Sequence, residues 1–220
     1  MRKILYLILL LFVVSGCSSP ANLQGNVEVG NTITFGKYEQ DNDSSNGQEN
    51  IEWIVLDKED NKILVVSKYA LETRSFHPVN NDVTWEGCSL RKWLNSMFLN
   101  KAFDENERKS ILTTTVNAEK NPRFDSEPGN DTKDKIFLLS VSEVESYFPN
   151  DDDRVVKASV YAMNNVGYVN EDVNWSWWLR TPGSRGRFVS FVNVDGSIYL
   201  EGTDVVSINF MVRPAMWLEI

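Results

Sequence analysis

The sequence predicts an α+β fold, a single compact domain with mixed and antiparallel sheets and a few short helices. Runs that alternate apolar and polar residues, the period of a half-buried strand, stand early and late in the chain, and runs with the 3.6-residue helical period stand between them. Between two of the late runs, Asp195-Gly196 is a two-residue hairpin signal, because glycine supplies the positive φ that such a turn needs. Composition agrees. At 220 residues, 42% hydrophobic and 24% charged, the chain suits one globular core and not a collagenous or wholly disordered one.

Each element has its own justification. Thr32–Tyr38 alternates like a strand and is followed by a polar turn cluster, Asp41–Gly47. Ile51–Leu56 and Lys62–Ser67 flank an Asp60-Asn61 turn and read as a hairpin. The period then changes: Leu90, Trp93, Leu94, Met97 and Phe98 form the apolar stripe of a core-facing helix. Asp104 with Glu107 reads as a capping box opening a helix that runs through Leu112. Ile136–Leu139 is a short apolar strand, and Ser140 with Glu143 caps a helix that buries Val144, Tyr147 and Phe148 and stops before Pro149. Residues 116–135 and 149–156 are polar loops. Strands return at Trp175–Arg180, Arg187–Val194, Ser197–Leu200 and Phe210–Leu218, with Pro214 marking the last as an edge or bulged strand. Strands at both ends suggest that the termini pair in one sheet.

The N-terminal segment reads as an address. Arg2 and Lys3 precede an unbroken apolar run of 11 residues, Ile4 to Val14. Crossing a bilayer takes about 20, so the run fits the apolar part of a secretory signal. It leads into Val14-Ser15-Gly16-Cys17, which resembles a bacterial lipobox. Small Ser15 and Gly16 admit a peptidase to the bond before Cys17. The Cys17 thiol then carries a diacylglycerol thioether, and its freed amine takes an acyl chain such as palmitate, enough chains for stable anchoring. The expected division is therefore residues 1–16 as signal peptide, 17–29 as lipidated tether and 30–220 as the domain, held at the extracytoplasmic face of the cell membrane. Loss of Arg2 and Lys3 leaves 20 basic against 31 acidic side chains, a charge of −11. Anionic headgroups repel that charge, so the body stands off on its tether. Cys88, without a partner once Cys17 is lipidated, lies in an amphipathic segment and reads as a buried, inert thiol.

Composition also bounds the chemistry. A net charge of −9 argues against nucleic-acid binding, which needs basic surfaces. One histidine, His77, and two cysteines leave little for triads, disulfide frameworks or zinc sites. No catalytic residue, cofactor or metal is expected. Asp41, Asp43, Ser45 and Gly47 offer calcium-like oxygens, but Asn46 stands where a calcium loop needs glycine, and Glu52 at the twelfth position falls in a strand. Asp151-Asp152-Asp153 reads as a solvated loop. Of the seven tryptophans, Trp93 belongs to the helical stripe. Strand alternation sets Trp175 and Trp177 on one face and Trp178 on the other, which makes Trp175 and Trp177 the candidates to stack on a ligand. Arg180 and Arg213 lie inside apolar strands and are expected as structural ion pairs, or as donors to loop carbonyls, because a buried guanidinium needs partners. Arg185 and Arg187, in a glycine-rich loop, are candidates to receive an anionic group.

Several stretches resemble the bacterial domain-of-unknown-function family numbered 6273: Ile51–Leu56, Ser67–Leu71, Trp85, Ser89–Asn95, Phe98–Asn100, Asp134–Ser140, Trp177–Gly183 and Val212–Leu218. The resemblance covers residues 30–220 and implies an exported bacterial protein with no assigned reaction. A second one, to the C-type-lectin-like fold shared by lectins and formylglycine-generating enzymes, rests on the Trp-rich strand, the Arg-containing strand, the Asp-Gly hairpin and the terminal Val-Arg-Pro strand. Against the lectin calcium motif, Glu127-Pro128-Gly129-Asn130 carries an extra glycine, and Asn174-Trp175-Ser176 stands in place of Trp-Asn-Asp.

Two functions compete. One is a non-catalytic, membrane-anchored domain that binds a glycan or a cell-envelope protein. The alternative is an enzyme on a lectin-like scaffold, either a formylglycine-generating-type oxidase, whose copper needs paired thiols where only Cys88 remains, or a carboxylate hydrolase.

Overall fold

The computed structural model describes residues 23–220, so the leader, Cys17 and the first part of the tether lie outside the described residues. Among them, no helix is long and apolar enough to cross a membrane. The rest of the segment read as tether includes β1 (Gln24–Gly25), which pairs antiparallel with β2 (Thr32–Tyr38). Sheet structure therefore begins before residue 30.

The first sheet has the order β1-β2-β3-β4-β12, with β3 (Glu49–Glu59), β4 (Lys62–Ser67) and β12 (Ala215–Glu219). In β3 the alternation is realised: Ile51, Trp53 and Val55 are buried between more exposed neighbours. The Trp53 indole N–H is satisfied by the Phe35 carbonyl at 2.7 Å. In β4 the run Ile63–Val66 is buried without alternation, because both of its faces are covered. Pairing of Ala215 with Val66 through Glu219 with Lys62 brings the two ends of the described chain into one sheet.

The second sheet has the order β10-β9-β8-β11-β5, with β5 (Glu72–Thr73), β8 (Trp177–Pro182), β9 (Phe188–Val192), β10 (Ile198–Asp204) and β11 (Met211–Val212). It is mixed, since β11 runs parallel to β8 and antiparallel to β5. Two short strands, β6 (Thr114–Val116) and β7 (Thr132–Asp134), form a separate ladder inside and beside the expected loop.

The expected final strand, Phe210–Leu218, is broken at Arg213-Pro214, where the chain leaves the second sheet and enters the first. Proline has no N–H to continue a ladder, but its carbonyl accepts from Ser67 N–H at 2.9 Å. Arg213 is 2% exposed. Its Nε donates to the Ser67 carbonyl at 3.0 Å, and its guanidinium lies 5.0 Å from the Trp177 ring and 5.2 Å from the Phe148 ring. The ion pair expected there is absent among the described residues. A carbonyl and two ring faces take the place of the carboxylate, and burial holds the guanidinium down to about 10.

Residues 89–102 form one helical segment in three parts: α1 (Ser89–Trp93), a π-helical turn (Leu94–Phe98) and α2 (Leu99–Ala102). Leu99 N–H reaches back to the Leu94 carbonyl, one residue further than in an α-helix. Leu90, Trp93, Leu94 and Phe98 are buried as the stripe predicts, but Met97 is 68% exposed. The widened turn shifts the helical phase and carries Met97 off the core face. Both capping boxes are present, on α3 (Glu105–Ser110) and α4 (Val141–Tyr147). α3 ends at Ser110, short of Leu112, because Ile111 turns into a bridge with Leu218.

Other expectations need correction. Ile136–Leu139 is not a strand; Phe137 makes one bridge to Ala215. The loop read at 149–156 contains α5 (Asp151–Arg154), and α6 (Val160–Val166) follows, opened by Ser159 and closed by a left-handed Gly167. Asp195-Gly196 sits in a five-residue connection, Asn193–Ser197, not a two-residue turn, because Asn193 N–H bonds to the Ser197 carbonyl.

Gly196 has φ +86°, and a Cβ there would meet the Asp151 carbonyl oxygen at 1.8 Å. Gly196→Ala should therefore lower the unfolding free energy by about 2–4 kcal/mol. Urea denaturation followed by tryptophan fluorescence measures this.

Candidate functional site

The residues singled out from the sequence do not converge in space. Trp177 is fully buried, its indole N–H donating to the Arg154 carbonyl at 3.1 Å, and Trp178 on the opposite face is fully buried too. Both faces of β8 are covered, so Trp177 has no ring face to offer a ligand. Trp175 lies just before β8, half-buried, 6.1 Å from the Tyr168 ring. Arg185 and Arg187 lie beyond the other end of β8, a strand that spans about 20 Å. Arg187 lies with its Nε 3.3 Å from an Asp204 oxygen. Arg185 is exposed, 4.3 Å over the Phe188 ring.

Arg180 is 5% exposed and forms a two-point pair with Glu143, with Nη2 to Oε1 at 2.9 Å. The Leu138 carbonyl takes a further N–H at 2.9 Å. Glu143 is also the capping-box residue of α4, so one carboxylate holds a helix start and a sheet arginine together. Cys88 is buried, and its Sγ accepts from Arg91 N–H at the start of α1. Burial pushes its thiol up to about 12.

In the acidic turn, Asp41 groups with Glu39 and Glu49, each offering an oxygen within 4.8 Å of the others. Asp43 and Ser45 close on each other instead. The Asp41 and Glu49 carboxylates accept from Asn46, Asp43 N–H and Gln40 N–H. Glu39 is pushed up by desolvation and by its acidic neighbours.

The structure forms a site elsewhere, at an open cleft of about 520 Å³ where the two sheets and the π turn meet. Tyr38 ends β2, Glu72 begins β5, Arg74 follows it, Trp93 and Met97 come from the helix before and within the π turn, Lys101 from α2 and Tyr161 from α6. The base is aromatic: Tyr38 lies 5.2 Å from Phe98 and 6.0 Å edge-on from Tyr161, and Trp93 lies 5.4 Å from Phe98. Tyr38 donates its hydroxyl to Glu72 Oε2 at 3.0 Å, while Glu72 Oε1 accepts from Thr73 N–H and Asn165. Desolvation, then the Glu72 charge, raises Tyr38 far above the ordinary phenol range, so it stays a donor. Two cations lie over this base: the Arg74 guanidinium is 4.6 Å from the Trp93 ring, and the Lys101 ammonium 4.6 Å from the Tyr38 ring. Trp178 N–H fixes the Arg74 carbonyl at 2.9 Å, which anchors the backbone beneath that guanidinium.

π turns inserted into α-helices occur often at functional sites. This one turns Met97 outward at the rim of the cleft. Its Asn95 ties the helix to the next segment, donating to the Ile136 carbonyl and accepting from Lys135 and Ile136 N–H. Sequence reading singled out neither Tyr38, Glu72, Arg74, Lys101 nor Tyr161. They lie far apart in the chain, and no short motif contains them.

Two family models match the chain. One, described as a domain of unknown function (DUF6273), covers residues 60–220, which includes every residue of the cleft named above except Tyr38. The other, a prokaryotic membrane lipoprotein lipid attachment site, covers residues 1–18 and so contains Cys17. No curated protein and no solved structure matches.

Two outcomes follow from the buried groups. Arg180→Ala strands the half-buried Glu143 carboxylate and should cost about 3–4 kcal/mol in thermal or chemical unfolding. Cys88 should resist iodoacetamide at pH 8 in the folded protein and react fully in guanidinium, as intact-mass spectrometry would show.

Proposed function

This chain belongs to the DUF6273 family, and on that premise we propose that it is an extracytoplasmic lipoprotein whose domain binds a glycan in the cleft between Trp93 and Tyr161. The lipid attachment site gives a lipid-anchored membrane location. The short apolar leader ahead of Cys17, read as an export signal, supports an outward face. The acidic body, repelled by anionic headgroups, would then present its surface to the cell envelope.

The single observation that carries the binding reading is the cleft itself. Its volume lies within the range of about 300–1,000 Å³ typical of ligand sites. It joins aromatic surface to polar heads. A sugar ring offers C–H faces that pack on such surface and hydroxyls that hydrogen-bond to arginine, lysine and amide groups. Exposed Met97 and half-buried Tyr161 provide the accessible apolar surface, and Met97 is flexible enough to settle on a ring. Glu72, with both oxygens engaged, supports a positioning role better than an acid–base one.

A glycan array probed with the full-length protein in detergent tests this reading. Saccharide binding is expected, and Met97→Asp should weaken it about tenfold, roughly 1.4 kcal/mol, with an unchanged melting temperature. An array without signal, or a variant that binds as well as the parent, would remove the cleft from consideration. Cys17→Ala should move the protein out of the membrane fraction in cell fractionation, and external protease should digest the anchored form on intact cells.

A further inference from the structure

We infer that the ligand of this cleft is an acidic saccharide, whose anionic group is received between the Arg74 guanidinium and the Lys101 ammonium. This rests on the saccharide reading given above and names the class of sugar.

The first support is the state of the two cations. The chain carries 31 acidic and 22 basic side chains, so carboxylates are plentiful. Arg91, Arg154, Arg180, Lys58 and Lys68 are each paired with one. Arg74 and Lys101 are two of eleven basic side chains among the described residues with no carboxylate within 4 Å, and they are the two that share this cleft. Each covers an aromatic face instead. A cation over a ring is held less tightly than one in a charge-assisted hydrogen bond, so an incoming anion can draw both toward itself.

The second support is the one carboxylate present. Glu72 lines the cleft without closing it, because its oxygens are engaged by the Tyr38 hydroxyl, Thr73 N–H and Asn165. The charged groups facing the cleft are Glu72, Arg74 and Lys101, which leaves a formal +1 on a chain of −9. A local positive centre on a negative body selects anions at that point and repels them elsewhere. Asn100 at the rim has an amide with no hydrogen-bond partner among the described residues, which suits it to a neighbouring sugar hydroxyl. The guanidinium fork fits a carboxylate or a phosphate, so the shared chemistry is an anionic oxygen pair on a saccharide or polyol chain.

Isothermal titration of the full-length protein in nonionic detergent separates the possibilities. The probes are trigalacturonate for a carboxylate source, a glycerol-phosphate oligomer for a phosphate source, and neutral galactotriose. The expected result is that one acidic probe binds at least about tenfold more tightly than the neutral one, with an advantage that shrinks as salt is raised. Arg74→Gln and Lys101→Gln, both at exposed positions, should each remove most of that advantage, weakening the acidic probe far more than the neutral one at an unchanged melting temperature. The stronger acidic probe identifies the source. If the neutral probe binds as well as the acidic ones, or the two variants keep the acidic preference, the inference is overturned while the saccharide reading stands. If no probe binds, both fall.

Discussion

One buried guanidinium bridges the two sheets. Arg213 stands where the chain passes from β11 to β12, and it touches both sheets at once: its Nε holds the last carbonyl of β4, and its flat face meets Trp177 of β8. Taking a charge out of water is costly, and here no carboxylate offsets the cost. Two aromatic faces and a carbonyl share the compensation. Trp177 is fully enclosed beneath the guanidinium, so the face read as a ligand platform is spent on the interior. Closure of the sheets in turn sets the distance between the end of β2 and the start of β5, and so brings the Tyr38 hydroxyl to the Glu72 carboxylate.

Much of the fold was legible because local physics and tertiary packing agree there. The alternation in Ile51–Val55 survives as burial, and Asp104 with Glu107 and Ser140 with Glu143 form reciprocal caps that need only neighbours in sequence. The failures have a common cause in non-local contacts. Trp177 and Trp178 alternate in direction, but cover arrives on both sides of β8, so alternation no longer marks a free face. Ile136–Leu139 has the apolar character of a strand, yet its backbone finds only one bridge, to Ala215. Ser159 and Gly167 close the two ends of α6, whose seven residues are too few to show a helical period.

The cleft was almost illegible for a different reason. Its residues come from β2, β5, the helical segment and α6, and each is ordinary in its own neighbourhood. Lys101 is one lysine near a helix end, and Arg74 is one arginine after a short strand. Their significance comes from what they share, an aromatic floor at one open cleft. That property is not encoded within a short window. The phase slip that exposes Met97 is equally silent, since Leu94–Phe98 has the spacing of a regular stripe.

That slip has an implication for how such a domain diversifies. A π turn is an α-helix with one residue to spare, and losing a single codon within 94–98 would let the ladder close normally. The helical segments on either side would keep their seats, because the widened turn absorbs the extra residue, and the outward step that carries Met97 to the rim would go. A relative one residue shorter there would keep the scaffold on both sides of the turn and lose the outward step at the rim, so the length of this helix shapes the recess as much as any side chain on it.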